Sequence, residues 1–196
     1  MVFPRIGDEA LVSNPLSALI ERGSGGYQAY NRGISGDSHG LRIDFSRMSL
    51  RRVQDMQHLP RKDPDRLFAV GKYQLIPSTI DLAARALKLD PEQAFDERLQ
   101  ERIFSEYLLM RKRASVQAYV AGRDGASLQQ ALAQLAAEWA FLGGAQTDPE
   151  TVAVPAHEVA AALEQMHAQY AEAIQRGLVG KQAWALVMGL DEAADG

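Results

Sequence analysis

The 196-residue chain contains no cysteine. Disulfide bonds and thiolate metal sites are therefore excluded, and a metal would have to be bound by the four histidines and by carboxylates. The histidines form neither an HxxH nor an HExxH pattern, so we expect no metal and no other cofactor. A chain without cysteine is compatible with an oxidising or a reducing compartment.

Long hydrophobic runs are also missing. No window approaches the roughly 20 apolar residues that a membrane-spanning helix needs, so we expect no stable membrane insertion. The N-terminus shows no basic stretch followed by an apolar run, and we therefore expect no secretory signal peptide. If the protein acts outside the cytoplasm in which it is made, a signal-independent machine has to deliver it.

An excess of positive charge is absent, since the formal net charge is −4 and the isoelectric point is about 5.6. Such a balance argues against a dedicated nucleic-acid-binding protein, which needs a basic face. The charge is uneven, however, because residues 41–66 hold seven basic and four acidic side chains. This segment is either solvated surface or a local basic region, and a nucleic-acid module built on it is the least favoured hypothesis.

Apolar side chains recur mostly at helical spacing, which predicts a mainly α fold in a single domain over 1–196. Capping residues and prolines predict where the helices begin. We expect residues 180–196 to form a C-terminal tail. The predicted helices are 15–22 after Asn14, 49–57 after Ser46 or Ser49, 77–87 from Pro77, one from Asp90-Pro91-Glu92 through Met110, one after Ser127, and one through Val159–Tyr170.

Glu21 is the first candidate catalytic residue. It lies at the predicted end of the first helix, just before a glycine-rich turn, where the negative end of the helix dipole disfavours ionisation of a carboxyl group. A carboxylic acid that retains its proton is what general-acid cleavage of a glycosidic bond requires. By position alone, Glu21 is either such an acid or an ordinary surface glutamate.

The segment from Ala69 to Pro77 is the second candidate region. Gly71 permits close approach of a ligand, and the amide of Gln74 can pair with an N-acetyl group or a sugar hydroxyl. Three tyrosines, Tyr27, Tyr30 and Tyr73, either stack on sugar rings or are core and boundary aromatics.

Glu21, the glycines at 25–26 and the pattern Ala69-x-Gly71-x-x-Gln74-x-x-Pro77-x-Thr79 together resemble the lysozyme-like superfamily. The resemblance is closest to goose-type lysozymes and soluble lytic transglycosylases, and covers roughly residues 14–87. It implies a lysozyme-like helical domain in which 34–66 is a long irregular insertion near the active-site cleft. Two departures are Arg22, where the family commonly has serine, and Lys72-Tyr73, where it has Leu-Met.

The resemblance implies that Glu21 protonates the oxygen between N-acetylmuramic acid and N-acetylglucosamine in peptidoglycan. Gly71, Tyr73 and Gln74 would line the sugar subsites together with Tyr27. Tyr30 and Asn31, which form the chain's Tyr-Asn sequence, would also line them. Glu138, beside Trp139, either reaches the cleft or is a surface charge.

A hydrolase needs a second carboxylate, whereas a lytic transglycosylase lets the sugar's own 6-hydroxyl attack. Asp37, Asp44 and Asp65 are the loop candidates, and Asp37 is favoured over the other two, although an aspartate between Gly36 and Ser38 is more often a turn-stabilising Asx residue. A non-catalytic wall-binding protein is the alternative to both enzymes.

In having no recognisable signal peptide, the chain resembles phage wall hydrolases and the glycoside-hydrolase effectors of bacterial type VI secretion. An antibacterial effector of this kind would act in the periplasm or cell wall of a target cell. Its expected partner is a cognate immunity protein that occupies the cleft.

Overall fold

The computed structural model describes residues 14–34, 41–144 and 152–190. In these residues the fold is mainly helical, as predicted, with two very short strands. The α-helices are α1 Pro15–Ser24, α2 Leu50–Gln57, α3 Pro77–Leu87, α4 Glu97–Arg102, α5 Ala114–Val120, α6 Leu128–Glu138, α7 Ala156–Gln175 and α8 Gly180–Met188; the strands are β1 Tyr30–Asn31 and β2 Ala69–Val70. Among these helices, none combines the length and apolar character needed to cross a membrane.

Helix α1 begins as its sequence predicts. The Asn14 side chain accepts a hydrogen bond from the Ser17 backbone N–H at 3.0 Å, and Pro15 occupies the first turn. The Asn14 amide also donates to the Val187 carbonyl at 2.8 Å, which ties α1 to α8. Asn14 therefore satisfies a helix end and a buried carbonyl at once.

Replacing Asn14 with alanine should lower the free energy of unfolding by about 2–4 kcal/mol, since the change removes a cap and leaves the Val187 carbonyl without its donor. Ser127→Ala is the matched control, because Ser127 caps α6 through the Gln130 N–H alone. It should cost about 1 kcal/mol. Urea denaturation of both variants checks the difference, and equal losses would contradict the tie between α1 and α8.

The starts of α2, α3 and α6 are also confirmed, with Ser49 rather than Ser46 as the α2 cap. The predicted helix start at Asp90-Pro91-Glu92 is wrong, because the helix begins after Asp96, whose side chain accepts from the Leu99 N–H. The intervening segment forms a turn that is held against the start of α2 by hydrogen bonds such as Leu50 N–H to Gln93 O at 2.9 Å.

A π-helix continues α4 from Ile103 to Lys112 and passes through the interior of the fold. Its buried residues are Ile103, Phe104, Ser105, Tyr107, Leu108 and Leu109. The Arg113 N–H closes it by bonding the Leu108 carbonyl at 2.7 Å. Glu101 lies just before this buried helix and Lys112 lies at its end. The helix therefore connects two parts of the site described below.

Strands β1 and β2 pair antiparallel, with Tyr30 opposite Val70 and Asn31 opposite Ala69. The 41–43 segment lies on the other side of β1, where the Tyr30 N–H bonds the Leu41 carbonyl at 3.0 Å. The pairing of β1 with β2 holds the segment just after α1 beside the turn that follows β2.

The expectation that 34–66 is an irregular insertion is wrong for much of the segment. Phe45, Leu50, Val53 and Met56 are buried in the core, on a short 3₁₀-helix and on α2. Apolar side chains at this spacing are what place the segment in the core. Residues 35–40 lie outside the described part of the chain.

The expected C-terminal tail is also corrected, because 180–188 form α8. Its face of Trp184, Val187 and Met188 is buried, and the Trp184 indole N–H donates to Ser105 Oγ of the π-helix at 3.0 Å. Apolar residues at helical spacing thus draw this segment onto the fold. Residues 191–196 lie outside the described part.

Candidate functional site

Glu21 lies in the last turn of α1, which ends when Gly25 adopts a left-handed conformation at φ 90°. Its side chain is 49% exposed, and its Oε2 lies 3.1 Å from the Nζ of Lys72. The carboxyl group is therefore open to a ligand on one side and held by an ammonium group on the other.

Lys72 is a buried lysine, with only 3% of its side chain exposed. Besides Glu21, its Nζ contacts Tyr27 Oη at 3.2 Å and Glu101 Oε1 at 3.4 Å. It also lies over the Tyr27 ring, 4.7 Å from the centroid. A lysine ammonium has three donors, and the three oxygens match that number.

Glu101, on α4, is the acceptor at the centre of this cluster. Its Oε1 accepts hydrogen bonds from Tyr27 Oη at 2.5 Å, Tyr73 Oη at 2.6 Å and Ser17 Oγ at 3.3 Å. The hydroxyls of Ser17 and Tyr73 are 2.6 Å apart. With 18% of its side chain exposed, Glu101 is the counter-charge for Lys72 in the interior.

Both tyrosine hydroxyls remain protonated donors to Glu101. Burial, together with the hydrogen bond to Glu101 and its negative charge, raises the pKa of Tyr27 far above its usual value. Burial and the charge of Glu101 likewise raise the pKa of Tyr73 well above the ordinary tyrosine value. The two tyrosine hydroxyls therefore remain hydrogen-bond donors throughout the neutral pH range.

A tight turn over 71–74 follows β2 and carries Lys72. Gly71 has φ 72°, and a Cβ at this position would overlap Oε1 of Gln100, which is fully buried. Gln100 Oε1 accepts from the Lys72 backbone N–H at 3.0 Å. The expectation that Gly71 lines a sugar subsite is wrong, because this glycine is buried and makes room for Gln100 rather than for a ligand.

Gly71→Ala should lower the free energy of unfolding by about 2–4 kcal/mol, because it combines a left-handed alanine with a clash against Gln100. Gly125→Ala is the matched control: Gly125 has φ 76°, but a Cβ there meets nothing within 4 Å. Its loss should be about 1–2 kcal/mol. Chemical denaturation compares the two, and a loss at Gly71 no larger than that at Gly125 would contradict the packing role.

Tyr73 is a core residue. It is 2% exposed and stacks on Phe104, with ring centroids 4.1 Å apart. The expectation that its ring faces a sugar is therefore wrong, because both its faces are occupied by the interior. Tyr27 and Tyr30 are half-buried.

A groove of about 240 Å³ lies beside the end of α1. It brings together three of the predicted site residues, Asn31, Gln74 and Glu138, but neither Tyr27 nor Tyr30 lines it. Ser24 Oγ, buried at the end of α1 in this lining, has no hydrogen-bond partner in the described part of the chain. The full lining is Gly23, Ser24, Asn31, Ala69, Gln74, Ile76, Glu138, Trp139, Ala140 and Phe141.

Gln74 is held in the groove in a strained conformation, with φ 48°. Its Nε2 donates to the Gly71 carbonyl at 2.9 Å, and its Oε1 accepts from the Asn31 amide at 3.1 Å. Non-glycine residues with positive φ concentrate at functional sites, where the surrounding structure holds them. Among the contacts of the described residues, each of the two amides uses one N–H and leaves the second for a ligand.

Glu138 is only 12% exposed and is paired with Lys112 and Arg113, each at 2.7 Å. Lys112 also donates to Thr79 Oγ1 at 3.0 Å. The three side chains together carry one net positive charge next to the groove, although of the three only Glu138 lines it. Glu138 is thus neither a free carboxylate nor a simple surface charge.

In the described part of the chain, no contact joins Asp44 or Asp65 to Glu21. Asp37 lies outside the described residues. Asp44 and Asp65 are exposed. Asp44 accepts a hydrogen bond from the Ser46 hydroxyl and forms an ion pair with Arg47. The hydrogen bond from Ser46 is the main cause that lowers the pKa of Asp44. Among the described residues, no group of three or more acidic or histidine side chains could hold a metal ion.

Sequence reasoning missed Glu101 and Ser17 and noted Lys72 only as a departure from a motif. A lysine inside the apolar segment 69–76 is a usable signal, since a buried lysine requires an acidic partner. Nothing in the sequence pattern identifies Glu101 as that partner.

A second depression, of about 360 Å³, lies between α2 and α3 and is lined by Gln54, Asp81, Ala84, Arg85 and Leu89. Asp81 there accepts from the Gln54 amide at 2.8 Å and contacts His58. None of the predicted site residues lies in it, and we do not assign it to the chemistry of Glu21.

No protein-family model, curated protein or solved structure matches this chain. Its function is therefore inferred from the arrangement of its own side chains. Two features are central to that inference: the exposed carboxyl group of Glu21, held by Lys72, and the neighbouring groove that contains Asn31, Gln74 and Glu138.

Proposed function

We propose that the chain is an enzyme that cleaves the glycan strand of peptidoglycan, at the β-1,4 bond between N-acetylmuramic acid and N-acetylglucosamine, with Glu21 as general acid. The observation that carries the proposal is the half-exposed carboxyl group of Glu21, anchored through one oxygen to Lys72. Glu21 is not itself among the groove's lining residues, but Gly23 and Ser24, which follow it on α1, are, and Gln74 in the lining shares a turn with Lys72.

The chemistry requires one proton transfer in each direction. Glu21 gives its proton to the bridging oxygen as the bond from that oxygen to the sugar carbon breaks, and the electron pair of the bond stays with the leaving oxygen. The sugar carbon is then attacked by water or by the sugar's own 6-hydroxyl. The proton released from the attacking hydroxyl returns to Glu21, which restores the acid.

The groove supplies groups that suit an N-acetylated sugar. The second N–H groups of Asn31 and Gln74 are donors for hydroxyl or acetamido oxygens. Trp139 and Phe141 add apolar surface to the wall. The net positive charge around Glu138 suits a substrate that carries carboxylates.

The nature of the attacking group decides between a muramidase and a lytic transglycosylase. Among the described carboxylates, Glu101 is close to Glu21 through their common contact with Lys72, but its Oε1 already accepts hydrogen bonds from two tyrosines and a serine. It is therefore a structural counter-charge rather than a second catalytic group. Mass analysis of the products separates the routes, since hydrolysis leaves reducing ends and transglycosylation leaves 1,6-anhydro ends.

The proposal extends to where the enzyme acts and what restrains it. An enzyme that cuts peptidoglycan acts on the periplasmic or outer side of a bacterial cell, and we propose delivery there by a phage or by type VI secretion. A small immunity protein that occupies the groove would protect the producing cell. Co-purification with products of adjacent genes tests this part separately from activity.

The direct test of the activity is incubation of purified peptidoglycan with the full chain, with release of soluble fragments as the readout. Release by the protein, and its loss on changing Glu21, supports the proposal. Saturable binding to the wall with no soluble product would instead indicate a non-catalytic wall-binding protein.

A further inference from the structure

The ammonium group of Lys72 contacts more carboxylate groups than its burial requires. A buried ammonium needs a counter-charge, and Glu101 provides one inside the same cluster. The ammonium nevertheless also reaches the exposed Glu21 at 3.1 Å. The cluster of Glu21, Lys72 and Glu101 therefore contains one carboxylate more than charge compensation of the lysine requires.

The contact determines which oxygen of Glu21 can carry the acidic proton. An ammonium group has donors and no acceptor, so Oε2, which faces Nζ, is an acceptor in this arrangement. The proton must then be on Oε1. On that side lies Gly26, where even an added Cβ would be 3.5 Å from Oε1, so no side chain there blocks the approach of a substrate.

Lys72 is itself fixed by several elements. Its backbone N–H is bound by the buried Gln100, and its Nζ is bound by Tyr27 and Glu101. Glu101 is in turn held by Tyr73 and Ser17. Because Ser17 and Glu21 are on the same helix, the cluster fixes the ammonium relative to α1.

We propose that Lys72 is a positioning residue for Glu21: anchored by Glu101, its ammonium group binds one carboxyl oxygen of Glu21 and directs the other, proton-bearing oxygen toward the substrate. This inference rests on the proposed function. Lys72 does not touch the glycan, and it acts through the orientation and charge of Glu21.

The first test is Lys72→Met in the full chain, with Lys62→Met, an exposed lysine, as the matched control. We expect Lys72→Met to lower kcat on purified peptidoglycan by about 10- to 100-fold, because Glu21 loses its fixed orientation, with KM changed by less than about twofold. Lys62→Met should match the wild type in both constants.

The second test is Glu101→Gln, which keeps the shape of the side chain but removes the counter-charge that anchors the Lys72 ammonium. If Lys72 positions Glu21 through this anchor, Glu101→Gln should lower kcat on purified peptidoglycan and leave KM within about twofold. The double variant Glu101→Gln with Lys72→Met should lose no more kcat than Lys72→Met alone, because the two side chains act through the same contact with Glu21.

The outcomes separate this inference from the proposed function. If Glu21→Gln retains activity, both fall. If Glu21→Gln is inactive while Lys72→Met keeps the wild-type kcat, the positioning role alone is overturned. Should Lys72→Met fail to fold, Glu101→Gln carries the test, since it keeps the shape of the side chain, and an unchanged kcat in that variant overturns the inference.

Discussion

Glu21→Gln should lower the rate of peptidoglycan cleavage by about 1,000-fold, because the amide has nearly the same shape but cannot donate a proton as an acid. The change should leave the free energy of unfolding within about 1 kcal/mol of the wild type, since the side chain is half exposed and the Lys72 ammonium that it contacts keeps Glu101 as its counter-charge. Initial rates of soluble muropeptide release, with urea denaturation in parallel, measure the two quantities.

Glu158→Gln is the matched control for this experiment. Glu158 lies on α7 and pairs at 2.6 Å with Arg22, the neighbour of Glu21, so the substitution changes the same kind of group near the same end of α1. It should leave cleavage unchanged. Retained cleavage in Glu21→Gln, or an equal loss in Glu158→Gln, would contradict the assignment of Glu21 as the acid.

Glu101→Ala should lower the free energy of unfolding by about 3–5 kcal/mol, because it leaves the Lys72 ammonium without its interior counter-charge. The hydroxyls of Tyr27 and Tyr73 lose their acceptor at the same time. Denaturant titration of the full chain measures this loss.

Glu92→Ala is the control, because Glu92 forms an equally direct ion pair with Arg51, at 2.6 Å, on the exposed surface. Its removal should cost less than about 1 kcal/mol. A second comparison removes both partners: Glu101→Leu with Lys72→Met should be more stable than Glu101→Ala, because no uncompensated charge remains buried. Similar losses in Glu101→Ala and Glu92→Ala would show that the Lys72–Glu101 pair is not a buried anchor.

The parts of the fold that the sequence predicts are those with local causes. Asn14, Ser49 and Ser127 cap helices within three residues, and Pro77 begins one, so short stretches of sequence suffice. The Asp90 start failed because a competing contact is not local: the residues after Asp90 pair with the start of α2.

Segments that look irregular in sequence also join the core through contacts with residues that are distant in the chain. Phe45 is buried on a 3₁₀-helix of three residues, too short for helical periodicity to reveal. Trp184 is buried because it meets Ser105, which is 79 positions away. Burial of this kind depends on tertiary neighbours that no window of sequence contains.

The site shows the same division. The motif around Gly71 and Gln74 and the helix-end Glu21 are recognisable from sequence, and in the structure they meet through Lys72. The assignment of Tyr73 to sugar stacking failed, because a tyrosine with a polar edge suits a cleft and a core equally well, and here its hydroxyl is satisfied inside by Glu101. The anchor itself joins positions 29 residues apart in the chain and has no sequence signature.

The most direct test of the central claim is mass spectrometry of the soluble material released from purified peptidoglycan by the wild-type chain and by Glu21→Gln. The account predicts disaccharide-peptides cut between N-acetylmuramic acid and N-acetylglucosamine from the wild type, with either reducing or 1,6-anhydro ends, and none from the variant. Wild-type protein that is folded yet releases no such fragments, or a variant that releases them at the wild-type rate, would contradict it.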